Sequence, residues 1–245
     1  MGSPRLREVL ARIDAAIAED VLPLVLFDLD STLFTTGPRN LRILREFARA
    51  CAGHWPEVET LAARLASTDM GWGIDECLRE HGLADDRLLR ELRSFWYQRF
   101  FTDEYLEHDL PVPGAVEFVG ACHDRGAMIY YLTGRHVGGM EVGTVRALTA
   151  HGFPFWRGRC VLHLKPSFGM GDRAFKDDAL ADIRSYRGRF VASFENEPGN
   201  ANLFLKAFPD ALHFLMQTIH SPRAEPAAAE LVPTEDFVLD GRGGA

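Results

Sequence analysis

The chain of 245 residues carries 27 Lys and Arg against 35 Asp and Glu, a net charge of -8. This balance argues against a nucleic-acid partner, which requires a basic patch. Four cysteines without a Cys-x-x-Cys pair indicate neither a disulfide framework nor a zinc site. Because the chain has no apolar leader and no apolar run of about 18 residues, we expect a soluble cytoplasmic protein without a membrane partner.

The first predicted elements are a helix and a buried strand. Apolar residues at helical spacing predict a helix over residues 3–19, with Ser3 as its N-cap. The unbroken apolar run Leu24–Phe27 predicts a strand that is buried on both faces of a parallel sheet. Asp28 and Asp30 follow directly. Alternate residues of a strand point to the same side, so the two carboxylates are expected to converge, where they repel unless a cation or proton intervenes.

This strand end has the residue types that phosphoryl chemistry needs. Asp28 can attack as a nucleophile while Asp30 carries a proton, and Mg²⁺ would neutralise the pair. Ser31 and Thr32 offer hydroxyls and backbone N–H groups to phosphate oxygens. The alternative is an Asp-rich turn that closes a buried strand.

The run VLFDLDSTL resembles the first motif of the haloacid dehalogenase superfamily, an apolar strand followed by Asp-x-Asp-x-Thr. The resemblance implies three further features downstream: a Thr or Ser after a second strand, a Lys, and an acidic cluster after a fourth strand.

Residues 36–108 carry helical periodicity without a strand pattern. Helices are expected at 38–51, 56–67, 73–81 and 85–101. An insertion at this place can cover the site and exclude water, and the resemblance implies a helical cap of the C1 type, found on enzymes that act on small substrates. Within it, Met70–Gly73 is either a mobile loop that presents Trp72 to a substrate or a turn whose Trp72 is buried by packing.

A second motif follows the next strand. After a helix over 113–125, the run Ala127–Leu132 predicts a buried strand. A hydroxyl and turn amides at such a strand end can bind a phosphate oxygen. The sequence LTGR resembles the second motif of the family, with Thr133 at the phosphate-binding position and Gly134 beside it. Arg135 either reaches the substrate or forms a surface salt bridge.

Two lysines compete for the third position. After a helix over 138–151 and a strand over Cys160–Leu164, Lys165 follows the strand directly, whereas Lys176 opens a predicted helix. A cation is needed here to stabilise negative charge on the nucleophile and the transferred phosphoryl group. The resemblance places the family lysine at the start of the helix before the fourth strand, which favours Lys176 over Lys165.

The acidic cluster departs from the family pattern. The fourth strand, Phe190–Phe194, ends in Glu195, where the family commonly has Asp, and Asn200 stands where a second carboxylate often does. Both residues keep oxygen donors that suit Mg²⁺. Glu197 is a further acid in reach, or it caps the helix that Pro198 begins.

A helix over 199–207 and a fifth strand, Ala211–Met216, complete the pattern. The expected organisation is an α/β core (residues 1–35 and 109–220), an all-helical cap (36–108) and a Pro- and Ala-rich tail (221–245) with a frayed Gly-rich end. The resemblance implies a three-layer, Rossmann-like parallel sheet in the order 5-4-1-2-3.

Together these features predict a Mg²⁺-dependent phosphatase that hydrolyses a small phosphorylated metabolite through an aspartyl-phosphate intermediate. Asp28 would attack, Asp30 would act as acid and base, and Thr133 and Lys176 would hold the phosphoryl group. Asp28, the Asp30 backbone carbonyl and Glu195 would hold Mg²⁺. A phosphomutase would use the same residues. The altered acidic cluster favours a third alternative, a non-catalytic module that binds phosphate or protein.

Overall fold

The computed structural model describes residues 4–239 of the chain. Its strands are β1 (Pro23–Phe27), β2 (Phe34–Thr35), β3 (Leu110–Pro111), β4 (Met128–His136), β5 (Cys160–Lys165), β6 (Arg189–Glu195), β7 (Leu212–Met216) and β8 (Val232–Thr234). Its α-helices are α1 (Pro4–Ala18), α2 (Gly37–Cys51), α3 (Pro56–Arg64), α4 (Glu76–Glu80), α5 (Asp86–Phe100), α6 (Ala115–Asp124), α7 (Val137–Ala150), α8 (Asp172–Ser185) and α9 (Pro198–Ala207). The predicted N-cap Ser3 and the Gly-rich end beyond residue 239 lie outside the described residues.

The chain forms two compact units. The first, called the sheet unit here, comprises the described chain up to Phe34, Pro111–Gly138 and the described chain from Leu148 onward. The second, called the helical unit, comprises Thr35–Leu110 and Gly139–Ala147. Strands β2 and β3 pair with each other where the chain passes between the units. That the helical unit acts as a C1-type cap stays a prediction.

The sheet unit is built around a six-stranded sheet in the order β5-β4-β1-β6-β7-β8. Every neighbouring pair of strands is parallel, and all residues of β1 are buried, as in a strand covered on both faces. The predicted α/β class is therefore confirmed. Counted from β7, the predicted strands lie in the order 5-4-1-2-3, and β8 extends the sheet beyond them. Because the strands are parallel, their carboxyl ends meet at one edge.

Part of the predicted C-terminal tail belongs to this sheet. Val232–Thr234 forms β8 beside β7. Phe237 is buried, with its ring centroid 5.2 Å from that of Phe194, and its backbone N–H donates to the carbonyl of Pro113 at 2.9 Å. Pro233 lies in an edge strand, where sheets tolerate proline. The tail prediction is therefore wrong for these residues.

Two element boundaries near the strand ends also differ from the prediction. Strand β4 runs to His136 and so includes Thr133–Arg135, which the sequence predicts as a turn; the register with β5 shifts within this stretch. Helix α8 begins at Asp172, so Lys176 lies in its second turn instead of opening it.

The helical unit has its own hydrophobic core, to which α2, α3, α4 and α5 contribute. Trp96 packs at its edge and donates from Nε1 to Asn40 Oδ1 at 2.8 Å. The helix predicted over 73–81 is shorter, Glu76–Glu80, because a turn precedes it. Among residues 4–239, none of the helices combines the length and the apolar character that crossing a bilayer requires.

Candidate active site

Asp28 lies directly after β1, at the carboxyl edge of the sheet, and is almost fully buried, with 4% of its surface exposed. Its backbone N–H donates to the carbonyl of Phe194 in β6 at 3.0 Å, so the neighbouring strand fixes its position. A carboxylate buried in this way needs a partner, because an unpaired buried charge is costly.

Lys176 is that partner. Its Nζ lies 2.8 Å from Asp28 Oδ1 and 2.8 Å from Glu195 Oε2, and all three side chains are buried. Of the two candidate lysines, Lys176 is therefore the one that the structure brings to Asp28. Lys165 ends β5, two strands away from β1. Asp28 Oδ2 accepts no hydrogen bond from a group within residues 4–239.

The charges in this cluster do not balance. Burial raises the pKa of Asp28 well above its ordinary value; Lys176 opposes this shift and Glu195 adds to it. Burial also raises the pKa of Glu195, against the effect of Lys176. Burial disfavours the Lys176 ammonium, but the carboxylates of Asp28 and Glu195 prevail and raise the pKa of Lys176 well above its ordinary value. Two buried acids thus share one buried cation, and the cluster favours additional positive charge.

Asp30 has a separate basic partner. Arg135 Nε and Nη2 lie 3.1 and 2.6 Å from Asp30 Oδ1. The Arg135 side chain is fully buried, whereas the Asp30 side chain is 31% exposed. This pair is not the surface salt bridge that the sequence left open. Asp28 and Asp30 therefore contact different basic side chains, Lys176 and Arg135. That the two carboxylates converge on one point stays a prediction.

Thr133 and Gly134 lie on β4, the neighbour of β1. Thr133 is buried, and its Oγ1 accepts the backbone N–H of Arg135 at 3.2 Å. A Cβ on Gly134 would come within 2.3 Å of Asp172 Oδ1, so the absence of a side chain here allows Asp172 to approach the strand. The predicted phosphate-binding pair therefore lies in the same unit as Asp28 and Lys176.

The acidic cluster after β6 is held by hydrogen bonds of its own. Glu195 Oε1 accepts the backbone N–H groups of Asn196 and Glu197 at 3.2 and 3.0 Å. Asn200, considered as a metal ligand, donates from Nδ2 to Asp172 Oδ2 at 3.1 Å. Glu197 precedes α9 but its side chain forms no cap; instead Glu197 Oε1 accepts the backbone N–H of Ser221 at 2.8 Å. The capping alternative for Glu197 is therefore wrong.

Three further residues considered in the sequence analysis are Thr32, Ser31 and Trp72. The backbone N–H of Thr32 donates to the carbonyl of Leu29 and is therefore not available to phosphate, contrary to the expectation from the sequence. The Thr32 hydroxyl Oγ1 lies 3.3 Å from Asn196 Oδ1. Ser31 has a φ of 57°, a left-handed conformation that is uncommon for serine and marks a constrained turn. In the helical unit, Trp72 is 53% exposed, so the alternative in which packing buries it is wrong.

Sequence reasoning missed Asp172 as a member of this cluster. Its Oδ2 lies 3.7 Å from Lys176 Nζ, in an i, i+4 arrangement on α8. The spacing of an acid and a lysine four residues apart was a readable signal, since such residues are neighbours on a helix. The prediction that α8 begins at Lys176 concealed it.

The donor set suits Mg²⁺. Within residues 4–239, no three His, Cys, Asp or Glu side chains are grouped as a metal site. The oxygen donors at this edge of the sheet are the buried carboxylates of Asp28 and Glu195 and nearby backbone carbonyls. Mg²⁺ prefers hard oxygen ligands, is commonly bound through one or two carboxylates, and keeps several waters. Burial raises the pKa values of both acids against the effect of Lys176, and a divalent cation beside them would favour their ionised forms.

The fold is a parallel α/β sheet, and the buried carboxylate of Asp28 lies at its carboxyl edge, where such sheets place their ligand sites. The model of the haloacid dehalogenase-like hydrolases matches residues 22–161, more than half of the chain, so the chain belongs to this family of hydrolases. No curated protein matches the sequence significantly.

Solved structures share the fold at low sequence identity. A Clostridium difficile protein provisionally assigned as a phosphatase aligns with a TM-score of 0.51 and 14% identity, over 83% of this chain and 89% of that one. Protein tyrosine kinase A of Mycobacterium tuberculosis aligns with a TM-score of 0.50 and 14% identity, over 87% of this chain and 94% of that one. A haloacid dehalogenase-superfamily hydrolase of Geobacter sulfurreducens, subfamily IA, aligns with a TM-score of 0.50 and 13% identity, over 88% of this chain and 93% of that one. At these identities the similarity shows a common fold.

Proposed function

We propose that this hydrolase is a Mg²⁺-dependent phosphatase that releases phosphate from a small phosphorylated metabolite through an aspartyl-phosphate intermediate. The observation that carries the proposal is the Lys176 ammonium between Asp28 and Glu195, 2.8 Å from each. This contact holds one oxygen of Asp28 and leaves Oδ2 with no donor from residues 4–239, as a nucleophile requires.

Ionised Asp28 is the reactive form. Burial raises its pKa, and Lys176 counteracts that shift. Asp28, the backbone carbonyl of Asp30 and Glu195 would hold Mg²⁺. When bound, Mg²⁺ supplies positive charge that neutralises the phosphoryl oxygens and the carboxylates in the transition state.

The protein residues supply the two half-reactions. Asp28 Oδ2 attacks phosphorus, the ester P–O bond breaks, and Asp30 gives a proton to the leaving oxygen. Asp30 then takes a proton from the water that attacks the aspartyl phosphate, which restores the Asp28 carboxylate and frees phosphate. The exposed side of Asp30 allows proton exchange with solvent, while Arg135 fixes its position. Thr133 and Lys176 would hold the phosphoryl group, with Gly134 beside them.

In this proposal, the presence of the helical unit favours a small substrate over a large one. In the role of a C1-type cap it would exclude water from the reaction, and the exposed indole of Trp72 would be a substrate contact. The same chemistry serves a phosphomutase if a second hydroxyl, and not water, accepts the phosphoryl group.

One observation favours a non-catalytic phosphate-binding module instead. Both carboxylate oxygens of Glu195 already accept hydrogen bonds, one from Lys176 and one from backbone N–H groups. A carboxylate has about four lone-pair sites, so these contacts leave room for a metal ion, but they would weaken its binding.

Release of phosphate from an aryl phosphate and a panel of small phosphorylated metabolites tests the proposal. We expect turnover with Mg²⁺, none with a chelator, and a loss of at least about 10⁴-fold in Asp28→Asn. Asp177→Asn is the matched control, because Asp177 is an exposed carboxylate on α8. Full activity in Asp28→Asn, or no turnover of any compound together with no Mg²⁺ binding by calorimetry, would overturn the proposal.

A further inference from the structure

The carboxyl ends of β4 and β5 carry two basic side chains that the proposed chemistry does not use. His136 and Lys165 are the last residues of these strands and lie opposite each other in the register. Both belong to the sheet unit, as Asp28 does. Because β5 is two strands from β1, Lys165 lies roughly 10 Å from Asp28 along the sheet edge, from a strand spacing of about 4.8 Å.

Both side chains lie close to one aromatic ring, that of Phe168. The Phe168 ring centroid lies 5.3 Å from that of His136, with the rings at 89°, and 5.9 Å from Lys165 Nζ. Phe168 itself is 40% exposed. An exposed ring between two basic groups offers apolar contact to a ligand whose charged end the basic groups bind.

In the described part of the chain, no protein anion pairs with either basic group. Within residues 4–239, the Lys165 ammonium and the His136 ring form no ion pair and no side-chain hydrogen bond, although the chain carries an excess of acids. Both side chains are half-buried, not fully extended into solvent. Lys176, in contrast, has three carboxylates within 3.7 Å.

We propose that His136, Lys165 and Phe168 form a second anion subsite, so that the substrate is a phosphate monoester with another anionic group, a carboxylate or a second phosphate. A carbon chain separates the two groups and spans the two strand spacings, about 10 Å in all, between β1 and β5. The ammonium binds the distant anion, His136 adds a ring N–H donor, and Phe168 packs against the connecting carbons. This inference rests on the proposed function for its kinetic test.

Four compounds with the same carbon chain test the subsite: hexyl phosphate with a terminal methyl, carboxylate, phosphate or ammonium group. We expect kcat/KM for the two anionic compounds to exceed that for the methyl compound by roughly tenfold, the size of one charge-assisted hydrogen bond. The ammonium compound should be the poorest. The carboxylate and phosphate compounds distinguish the two kinds of distant anion.

Lys165→Met should remove the preference for the anionic compounds and leave hydrolysis of plain hexyl phosphate within about twofold. Lys165→Arg should keep most of the preference because it retains the charge. Lys206→Met is the matched control, since Lys206 is exposed on α9. Equal hydrolysis of all four compounds by the wild-type protein, or an equal loss for all four in Lys165→Met, would overturn the subsite.

A binding experiment separates this inference from the proposed function. Calorimetry on Asp28→Asn measures the affinity for the carboxylate and methyl compounds without turnover. A roughly tenfold preference for the carboxylate that is lost with the added Lys165→Met change supports the subsite even if no phosphate is ever released. Turnover without any such preference leaves the phosphatase in place and refutes the subsite.

Discussion

Each unit of this protein contains a buried ion pair, and the two pairs differ in how completely they are satisfied. In the helical unit, Arg39 Nε and Nη2 contact Asp109 Oδ1 and Oδ2 at 2.8 and 2.5 Å, with both side chains fully buried. The guanidinium also donates to the Phe100 carbonyl and lies 4.2 Å from the Phe100 ring centroid. One cation meets one anion through two parallel hydrogen bonds, which is the geometry of a structural pair.

The Lys176 cluster in the sheet unit is unbalanced. One ammonium lies between Asp28 and Glu195, both of whose pKa values are raised by burial. Burying such groups without full compensation costs stability, and the proposed function accounts for that cost through Asp28 as the nucleophile. The two pairs show that burial alone does not mark a candidate site. An excess of one charge, and a carboxylate oxygen without a donor among residues 4–239, favour one.

Removal of Lys176 should have the largest effect. In Lys176→Met we expect kcat to fall about a thousandfold, because the transition state loses its fixed cation, and the free energy of unfolding to fall by about 3–5 kcal/mol. Phosphate release and urea denaturation measure the two effects. A variant that keeps wild-type kcat would show that this cluster is structural, as the Arg39–Asp109 pair is.

The stability of Lys176→Met should also depend on pH. Burial raises the pKa values of Asp28 and Glu195 in the folded protein, and loss of the ammonium raises them further. The folded state then holds protons that the unfolded state releases above about pH 4. The free energy of unfolding should therefore be highest near pH 4 and fall as pH rises toward 8, more steeply than in the wild-type protein.

Removal of Arg39 should affect stability without the same loss of rate. In Arg39→Met we expect about 3–5 kcal/mol of destabilisation, because the buried Asp109 carboxylate loses the guanidinium that it faces. Arg39→Met combined with Asp109→Leu should recover most of it, since an apolar pair needs no compensation. If kcat of the folded single variant, measured well below its melting temperature, fell as far as in Lys176→Met, the pair would not be merely structural.

Substitution of Arg135 should give a smaller loss of kcat than substitution of Lys176, because its partner Asp30 is partly exposed. In Arg135→Met we expect kcat to fall about tenfold to a hundredfold through misplacement of Asp30, with KM nearly unchanged. Steady-state kinetics on an aryl phosphate measures both. A rise in KM at constant kcat would instead show that Arg135 binds substrate directly, as the sequence also allowed.

Local patterns made much of the fold predictable. The apolar run of β1 indicated a doubly buried strand, and the alternation of strands and helices indicated a parallel α/β sheet, as found. The prediction failed for β8, because a three-residue strand containing Pro233 carries no periodicity that distinguishes it from a loop. It also failed for the start of α8, where Asp172 was overlooked.

The candidate groups could be read from the sequence, since Asp28, Asp30, Thr133 and Lys176 lie at recognisable positions along elements whose patterns are local. Their partners could not be read there, because they depend on the tertiary fold. Lys176 meets Asp28 across 148 positions of the chain, and Arg135 meets Asp30 across 105. Such contacts depend on which strands become neighbours and on how the chain turns after β1. The residue type gives the charge of a side chain, but the fold determines which opposite charge lies beside it.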